Sequence, residues 1–249
     1  MAKVIFLGVG EAFDELHHNT SILLEHDSHL LLDCGFFAIR QLWKYTQDQN
    51  YLDAIYLSHF HADHYFGLPA LLMRMKEEKR KSPLTLITQR GGKSKINAVL
   101  SLAYKTTLAS FGFKINILEV KHGMQTKVNE FKVSFGRTIH AIPNLAIRIG
   151  VGEKTLVYSG DGQFFKNHGN FYQGADVLIH DAYTLKKPNP YHATVEAILA
   201  YAKEMDIKRL ALVHLHRQER EKAKDYLEKI KDSLPYKVVI PKEMQELEL

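Results

Sequence analysis

Cysteine is nearly absent from this chain: Cys34 is the single one in 249 residues, so no intramolecular disulfide can form. Long apolar runs are missing too, and nothing approaches the roughly 20 apolar residues that a membrane-crossing helix needs. No Pro-, Gly- or Ser-rich linker, low-complexity tract or block of like charge divides the sequence, and no short fixed period marks a solenoid. The opening residues Ala2-Lys3-Val4-Ile5-Phe6-Leu7-Gly8 read as a strand from the start. They lack the basic region, apolar core and small-residue cleavage site of a secretory signal, so a cytoplasmic protein is expected. Cys34 follows the run Leu30-Leu31-Leu32-Asp33 and reads as a small buried thiol. With 45% hydrophobic residues the chain can bury a large core, and one domain over residues 1–249 is expected.

Histidine is plentiful, and its placement carries most of the information. The run Leu57-Ser58-His59-Phe60-His61-Ala62-Asp63-His64 puts four metal-ligating side chains into six residues, directly after the apolar stretch Ala54-Ile55-Tyr56. That stretch reads as a short buried strand, so His59 and His61 share a direction at its end, while Asp63 and His64 follow in a turn. Imidazole and carboxylate at this spacing suit zinc or another borderline metal rather than a histidine-rich surface loop. Curling of the turn lets the first pair serve one ion and the second pair another, on the order of 3.5 to 4 Å away.

Four ligands cannot saturate two ions, so further ligands are expected, each at the end of a strand. Glu130 to Gly136 alternates as a strand and soon reaches His140. Lys154 to Tyr158 is a strand running into Ser159-Gly160-Asp161, and Arg209 to Val213 is one that runs into His214. Strands come first and then alternate with helices in each half, which suits an α/β fold with a sheet-on-sheet core covered by helices. Helices are expected at Pro69 to Lys79, about Lys93 to Ser110, about Thr194 to Glu204 and about Gln218 to Lys231.

The net charge of +5 favours an anionic substrate. Lys76, Lys79, Arg80 and Lys81 read as the solvated end of a helix, whereas Lys93 and Lys95, after Arg90-Gly91-Gly92, could guide an anion. That glycine pair lacks the spacing of a phosphate-binding P-loop.

His59, His61, Asp63, His64, His140, Asp161 and His214 together resemble the ligand pattern of the metallo-β-lactamase superfamily, over nearly the whole chain. The resemblance implies a four-layer αββα sandwich. It implies that His59, His61 and His140 hold one metal, that Asp63, His64 and His214 hold the other, and that Asp161 bridges both. Within the superfamily, Leu7-Gly8-Val9-Gly10, Asn19-Thr20-Ser21-Ile22-Leu23-Leu24 and Leu31-Leu32-Asp33-Cys34-Gly35 are similar to the opening of the tRNase Z and phosphodiesterase branch. Asp63-His64-Tyr65-Phe66-Gly67-Leu68-Pro69 is similar to the segment in which that branch's metal motif ends and its next helix begins. Leu178-Ile179-His180-Asp181-Ala182 resembles its His-Glu-Ala-Thr segment with Asp for Glu, and His192-Ala193-Thr194 its His-Ser-Thr segment.

The departures narrow the substrate. Only 20 residues separate His140 from Asp161, too few for the tRNA-binding arm that tRNase Z carries there. A counterpart of its basic Pro-x-Lys-x-Arg-Asn loop is also missing. A dinuclear phosphodiesterase acting on a small phosphodiester, cyclic nucleotide or phosphonate ester is therefore expected, with two divalent ions, zinc first and manganese or iron as alternatives. Asp63 would hold its metal and orient the attacking water, His192 would act as general acid, and Asp181 would orient His192. The alternatives are a tRNase Z-like endoribonuclease and a thioesterase or lactonase of the glyoxalase kind. Against the latter, no large helical domain follows His214. Cys34 is not a ligand in this pattern, which disfavours members whose second metal takes a cysteine. The expected partner is a small anionic substrate; nucleic acid is less favoured, a membrane is not expected, and a homodimer is left open.

Other side chains read less sharply. His17 and His18 fall in a polar surface loop, His216 shares the strand-end direction of His214, and His180 is either buried or bonded to a ligand. His26, His29, His122 and His168 show no partner pattern. Phe36, Phe37, Tyr65 and Phe66 are expected to include core residues, with Tyr65 and Phe66, which adjoin His64, placed to wall the metal pocket.

Overall fold

The computed structural model describes residues 2–165 and 170–249, so His168 lies outside the described residues. The first sheet begins with the antiparallel strands β1 (Lys3–Gly8), β2 (Ser21–Glu25) and β3 (His29–Leu32) and continues in parallel through β4 (Ala54–Tyr56), β5 (Leu84–Gln89) and β6 (Ile115–Val120). The second sheet repeats this plan. β7 (Gln125–Val128), β8 (Phe131–Ile139), β9 (Leu145–Val151) and β10 (Lys154–Tyr158) are antiparallel neighbours. The short β11 (Gln163–Phe164) pairs with β8, and β12 (Val177–Asp181), β13 (Arg209–Val213) and β14 (Lys237–Val239) extend the sheet in parallel from β10. The last strand, β15 (Glu246–Glu248), returns to β1.

Strand periodicity builds the layers. Val4 and Phe6 face the second sheet, where they meet residues such as Phe131, Phe135, Ile147 and Leu156. Ile5 and Leu7, on the opposite face, lie with Leu23, Leu31 and Ile55 under helices α1 (Ala38–Tyr45), α3 (Leu68–Glu77) and α4 (Gly92–Tyr104). A single-turn helix, α2 (Ala62–Tyr65), precedes α3. On the far side, Val157, Leu178, Leu210 and Leu212 are covered by α5 (Val195–Glu204) and α6 (Arg220–Ile230). The four layers are the expected αββα sandwich. Among the described residues no helix is long and apolar enough to cross a membrane.

Several expectations need correction. Asp63 and His64 sit on α2 rather than in an open turn. The helix expected to reach Ser110 ends at Tyr104, where Lys105 adopts φ 49 and the β-branched pair Thr106-Thr107 follows; only a 3-10 turn at Leu108–Ser110 comes after. Arg80 is not solvated: it is 1% exposed. Its guanidinium donates from Nε to the Ser82 carbonyl at 2.9 Å, from Nη1 to Gln49 at 2.7 Å, and from Nη2 to Leu52 at 2.6 Å and Pro83 at 2.8 Å. Arg80→Ala strands four carbonyls beneath α3 and is expected to cost about 3 kcal/mol, which lowers the melting temperature by roughly 6 to 12 °C. Thermal denaturation followed by circular dichroism checks this, and a shift under 2 °C would contradict it.

Candidate metal centre

The side chains singled out in sequence converge at the carboxyl ends of the strands. His59 follows β4, His140 follows β8, Asp161 follows β10 and His214 follows β13, while Asp181 closes β12. In open α/β sheets this edge is where ligands bind. The local backbone is shaped for the purpose. His214 (φ 59) and the nearby Asp33 (φ 61) occupy the left-handed region that costs a non-glycine residue energy, a strain typical of functional sites. Gly35 runs so close to α2 that a Cβ there would stand 1.9 Å from the Asp63 carbonyl oxygen.

Three groups of donor atoms result: His59, His61, His140 and Asp161, and Asp63, His64, Asp161 and His214, which share the Asp161 carboxylate, and a third of Asp181, His192 and His214. In the first, His61 Nδ1 lies 3.1 Å from both His59 Nε2 and His140 Nε2, and each of those Nε2 atoms is 3.8 Å from Asp161 Oδ2. In the second, His64 Nε2 is 3.2 Å from Asp63 Oδ2 and 3.3 Å from Asp161 Oδ1, and His214 Nε2 is 3.3 Å from Asp63 Oδ2 and 3.4 Å from Asp161 Oδ2.

The donor set fits divalent metal. Two nitrogens on one tetrahedral zinc stand about 3.3 Å apart, close to these spacings. The outward ring nitrogens are already engaged: His64 Nδ1 donates to Asp33 Oδ2 at 2.7 Å, His140 Nδ1 to the Tyr191 carbonyl at 2.8 Å, and His59 Nδ1 to Ser58 Oγ at 3.0 Å. Each Nε2 therefore points inward, toward carboxylate oxygens that only accept. His64 Nε2 is buried without a hydrogen-bond partner. Without metal, protons on His64 and His214 hold these carboxylate oxygens in place, and a divalent cation would take the place of those protons.

Charge accounts for the protonation states. Burial holds His59, His61 and His140 below the usual imidazole range, so they are neutral and ready to ligate. Asp63 and Asp161 remain ionised because neighbouring His64 and His214 outweigh the cost of their burial. For His214, burial opposes charge, but Asp161, Asp63 and Asp181 prevail and raise its pKa from 6.5 to about 9. In the metal-free protein this proton stabilises the fold fully below about 6.5 and ceases to do so as pH climbs through about 9. A cation must displace it, together with the proton that Asp161, Asp63 and Asp33 keep on buried His64, so metal affinity is expected to rise with pH above 6.5. Competition with a chromophoric chelator at pH 6.5 and 8.5 checks the sign; weaker binding at the higher pH would refute it.

Beside the second group, His192 Nδ1 lies 2.8 Å from Asp181 Oδ2, which also accepts from the Gly162 N–H at 2.8 Å. Burial works against charge on His192, but Asp181, by charge and hydrogen bond, and Asp161 lift its pKa above the ordinary value. Thr194 caps α5, accepting from the Ala197 N–H at 3.2 Å. A cavity of about 340 Å³ opens here, lined by Glu11, Ala12, Phe13, Phe36, His61, Ala62, Asp63, Asp161, Tyr183, His192 and His214.

The profile of the family described as Anti-Pycsar protein Apyc1 matches residues 2–231. The chain belongs to that family. Relatives of this Apyc1-family chain include the ribonuclease Z of Thermococcus sibiricus, 27% identical over an alignment of 298 residues that takes in all of this chain and 97% of that protein. The metallo-β-lactamase fold protein YhfI of Bacillus subtilis superposes with a TM-score of 0.82 at 24% identity, over 99% of this chain and 98% of the other. A diphosphatase of the PhnP family gives 0.79 at 19% identity, over 100% and 98%. The superfamily and the tRNase Z-related branch read from the sequence are those of the Apyc1-family chain, which stands among metallo-β-lactamase fold hydrolases.

Sequence reasoning misses several supports of the Apyc1-family site. Asp33 accepts not only from His64 but also from the Ser58 N–H and hydroxyl and from the Tyr158 hydroxyl, each at 2.7 Å. Asn144 Nδ2 reaches the carbonyls of Ser159 and Asp161 at 2.8 Å and fixes the turn that carries Asp161. Tyr183 stacks on His192 at 4.6 Å. Tyr65 and Phe66 are not among the lining residues: Tyr65 packs on Phe60 at 5.2 Å and Phe66 points to solvent. Phe36 lines the cavity and Phe37 is exposed, so neither is core. His17 and His18 pair with Asp14 and Glu243 and are not among the residues that line the cavity. His216 packs on Tyr183, and buried His180 binds the Asp181 carbonyl, its ring against Phe164. His29 stacks on Tyr51, and His26 lies 3.6 Å from Glu130. Lys95 lies over the Phe60 ring.

Proposed function

We propose that this chain is a dinuclear metal-dependent phosphodiesterase acting on small phosphodiesters, with cyclic nucleotides foremost. The observation that carries the reading is the placement of His192, bonded to buried Asp181, in the cavity that the two ligand groups reach through His61, Asp63, Asp161 and His214. At about 340 Å³ the cavity falls at the small end of ligand sites. The alignment with ribonuclease Z runs to 298 positions against 249 residues here, so that relative carries insertions this chain lacks. Those insertions and the short interval before Asp161 favour a small substrate over precursor tRNA.

His59, His61, His140 and Asp161 would hold one ion and Asp63, His64, His214 and Asp161 the other, with zinc the best match to the ligand types. Divalent ions there would polarise a phosphoryl oxygen and make a water acidic enough to attack near neutral pH. The protein supplies the rest. Asp33 fixes the ring of His64, Asp63 orients the attacking water, and Asp181 keeps the Nδ1 proton of His192, leaving Nε2 to protonate the leaving oxygen. Water oxygen replaces the leaving alkoxide at phosphorus, and a diester becomes a monoester and an alcohol.

The test is a substrate panel with zinc-reconstituted and chelated protein: cyclic mononucleotides, bis(p-nitrophenyl) phosphate, a precursor tRNA with a 3′ trailer, and an acyl thioester. Metal-dependent release of nucleoside monophosphate is expected. Trailer removal with inert cyclic nucleotides would make the chain an endoribonuclease, and turnover of the thioester alone would overturn phosphodiester chemistry. Metal removal should also lower the melting temperature by roughly 8 to 16 °C, the consequence of losing a ligand held at about a thousand times its dissociation constant.

A further inference from the structure

The loop between β1 and β2 displays its aromatic residue instead of burying it. Phe13 is 77% exposed, yet it lines the same cavity as Asp63, Asp161, His192 and His214. Its neighbours on the loop are the reverse, since Glu11 and Asp14 are carboxylates exposed by only 1% and 4%. Both are satisfied within the loop and by α6 with the residues that lead into it. Glu11 accepts from the Phe13 N–H at 2.8 Å and pairs with Arg217. Asp14 accepts from the Leu16 N–H at 2.9 Å and the His17 N–H at 3.1 Å, and its other oxygen meets His17 Nδ1 at 3.0 Å. Arg220, itself buried, donates to the Val9 carbonyl at 2.7 Å and stands 3.9 Å from Asp14.

Burying carboxylates is costly unless they are paired, and this loop pairs each of them. What they hold in place is a ring that contributes nothing to the core. A ring at the mouth of a cavity, carried by a loop backbone that is already bonded in place, can meet a flat partner without ordering that loop. Phe36 lines the same cavity and is itself braced edge-to-face by Phe37 at 4.5 Å.

Resting on the phosphodiesterase reading, we infer that Phe13, with Phe36, forms the stacking subsite for the nucleobase of a substrate whose phosphodiester lies at the ligand groups. Glu11 takes no part in reading the base, because its carboxylate is already engaged by Arg217 and the loop N–H. Base–aromatic stacking is strong enough for the loss of one ring to be read in KM.

Kinetics on 3′,5′-cyclic AMP and on the abasic ribose 3′,5′-cyclic phosphate test the subsite in metal-loaded protein. Phe13→Ala is expected to erase about tenfold of the KM advantage of cyclic AMP over the abasic compound, Phe36→Ala to act in the same direction, and Phe13→Tyr to restore it. An unchanged advantage in Phe13→Ala would overturn the subsite. So would equal losses on both compounds, including losses that accompany a change from dimer to monomer in sedimentation, because the ring would then serve assembly. Calorimetric binding of AMP separates this inference from the activity itself. If the wild type hydrolyses no cyclic nucleotide but AMP still binds about tenfold more weakly to Phe13→Ala, the subsite stands and the phosphodiesterase reading fails. Equal AMP affinity would remove the subsite.

Discussion

His61→Ala is expected to lose metal and activity together, with kcat/KM lower by at least about 10³. The position is decisive because His61 Nδ1 stands 3.1 Å from both other imidazole nitrogens of the first ligand group. Without it, His59 and His140 remain with Asp161, and the shared carboxylate is left to complete a set that catalytic zinc sites build from three protein ligands of their own. Asp161 then has no firmly held ion on one side, so the second group loses its fixed partner as well. A catalytic ion is worth several kcal/mol of transition-state stabilisation, and about 4 kcal/mol is already a thousandfold. His61 is partly exposed, so its truncation leaves the fold standing and the loss is one of metal. Elemental analysis of purified protein should show less metal per chain than the wild type, alongside the loss of turnover. A full complement of metal with undiminished turnover would exclude His61 from the site.

Much of this site is legible in the sequence because its chemistry is compressed. His59, His61, Asp63 and His64 occupy one strand end and one helical turn, so spacing alone brings them together. His140, Asp161 and His214 can be found because each follows a recognisable strand, and strand ends on one edge of an α/β sandwich meet in space. Asp33 cannot be found this way. Its partners Ser58, His64 and Tyr158 are remote in sequence, and an aspartate after an apolar run also ends many loops. Helix α1 escapes notice because its cap, Phe37, makes no side-chain bond and no acidic residue marks its first turn. Arg80 misleads because a cation near a helix end has two destinies in sequence, and only the fold reveals four carbonyls waiting beneath it. Phe36 and Phe13 mark a similar limit: composition records aromatic residues, while only the placement of the loops decides that they face a cavity.

His192→Ala is expected to separate chemistry from metal binding. His192 belongs to neither of the two ligand groups that share Asp161, so the variant should retain its metal while kcat on a cyclic nucleotide falls by roughly 10² to 10⁴, the usual worth of a positioned general acid. The size of the loss should depend on the leaving group. An alkoxide needs a proton as the P–O bond breaks, whereas nitrophenolate leaves without one, so bis(p-nitrophenyl) phosphate should lose much less. The pH profile gives an independent sign. Burial lowers the His192 pKa and Asp181 more than reverses this, so the acid form persists above 6.5 and the rate should fall on the alkaline side as it is lost. Asp181→Asn removes the carboxylate that accepts the Nδ1 proton and should move that alkaline limb to lower pH. Equal losses on both substrates, or a limb that Asp181→Asn does not move, would assign His192 to substrate binding rather than to proton transfer. The two profiles distinguish these roles because binding responds to the presence of the ring, while acid catalysis responds to the proton that Asp181 keeps on it.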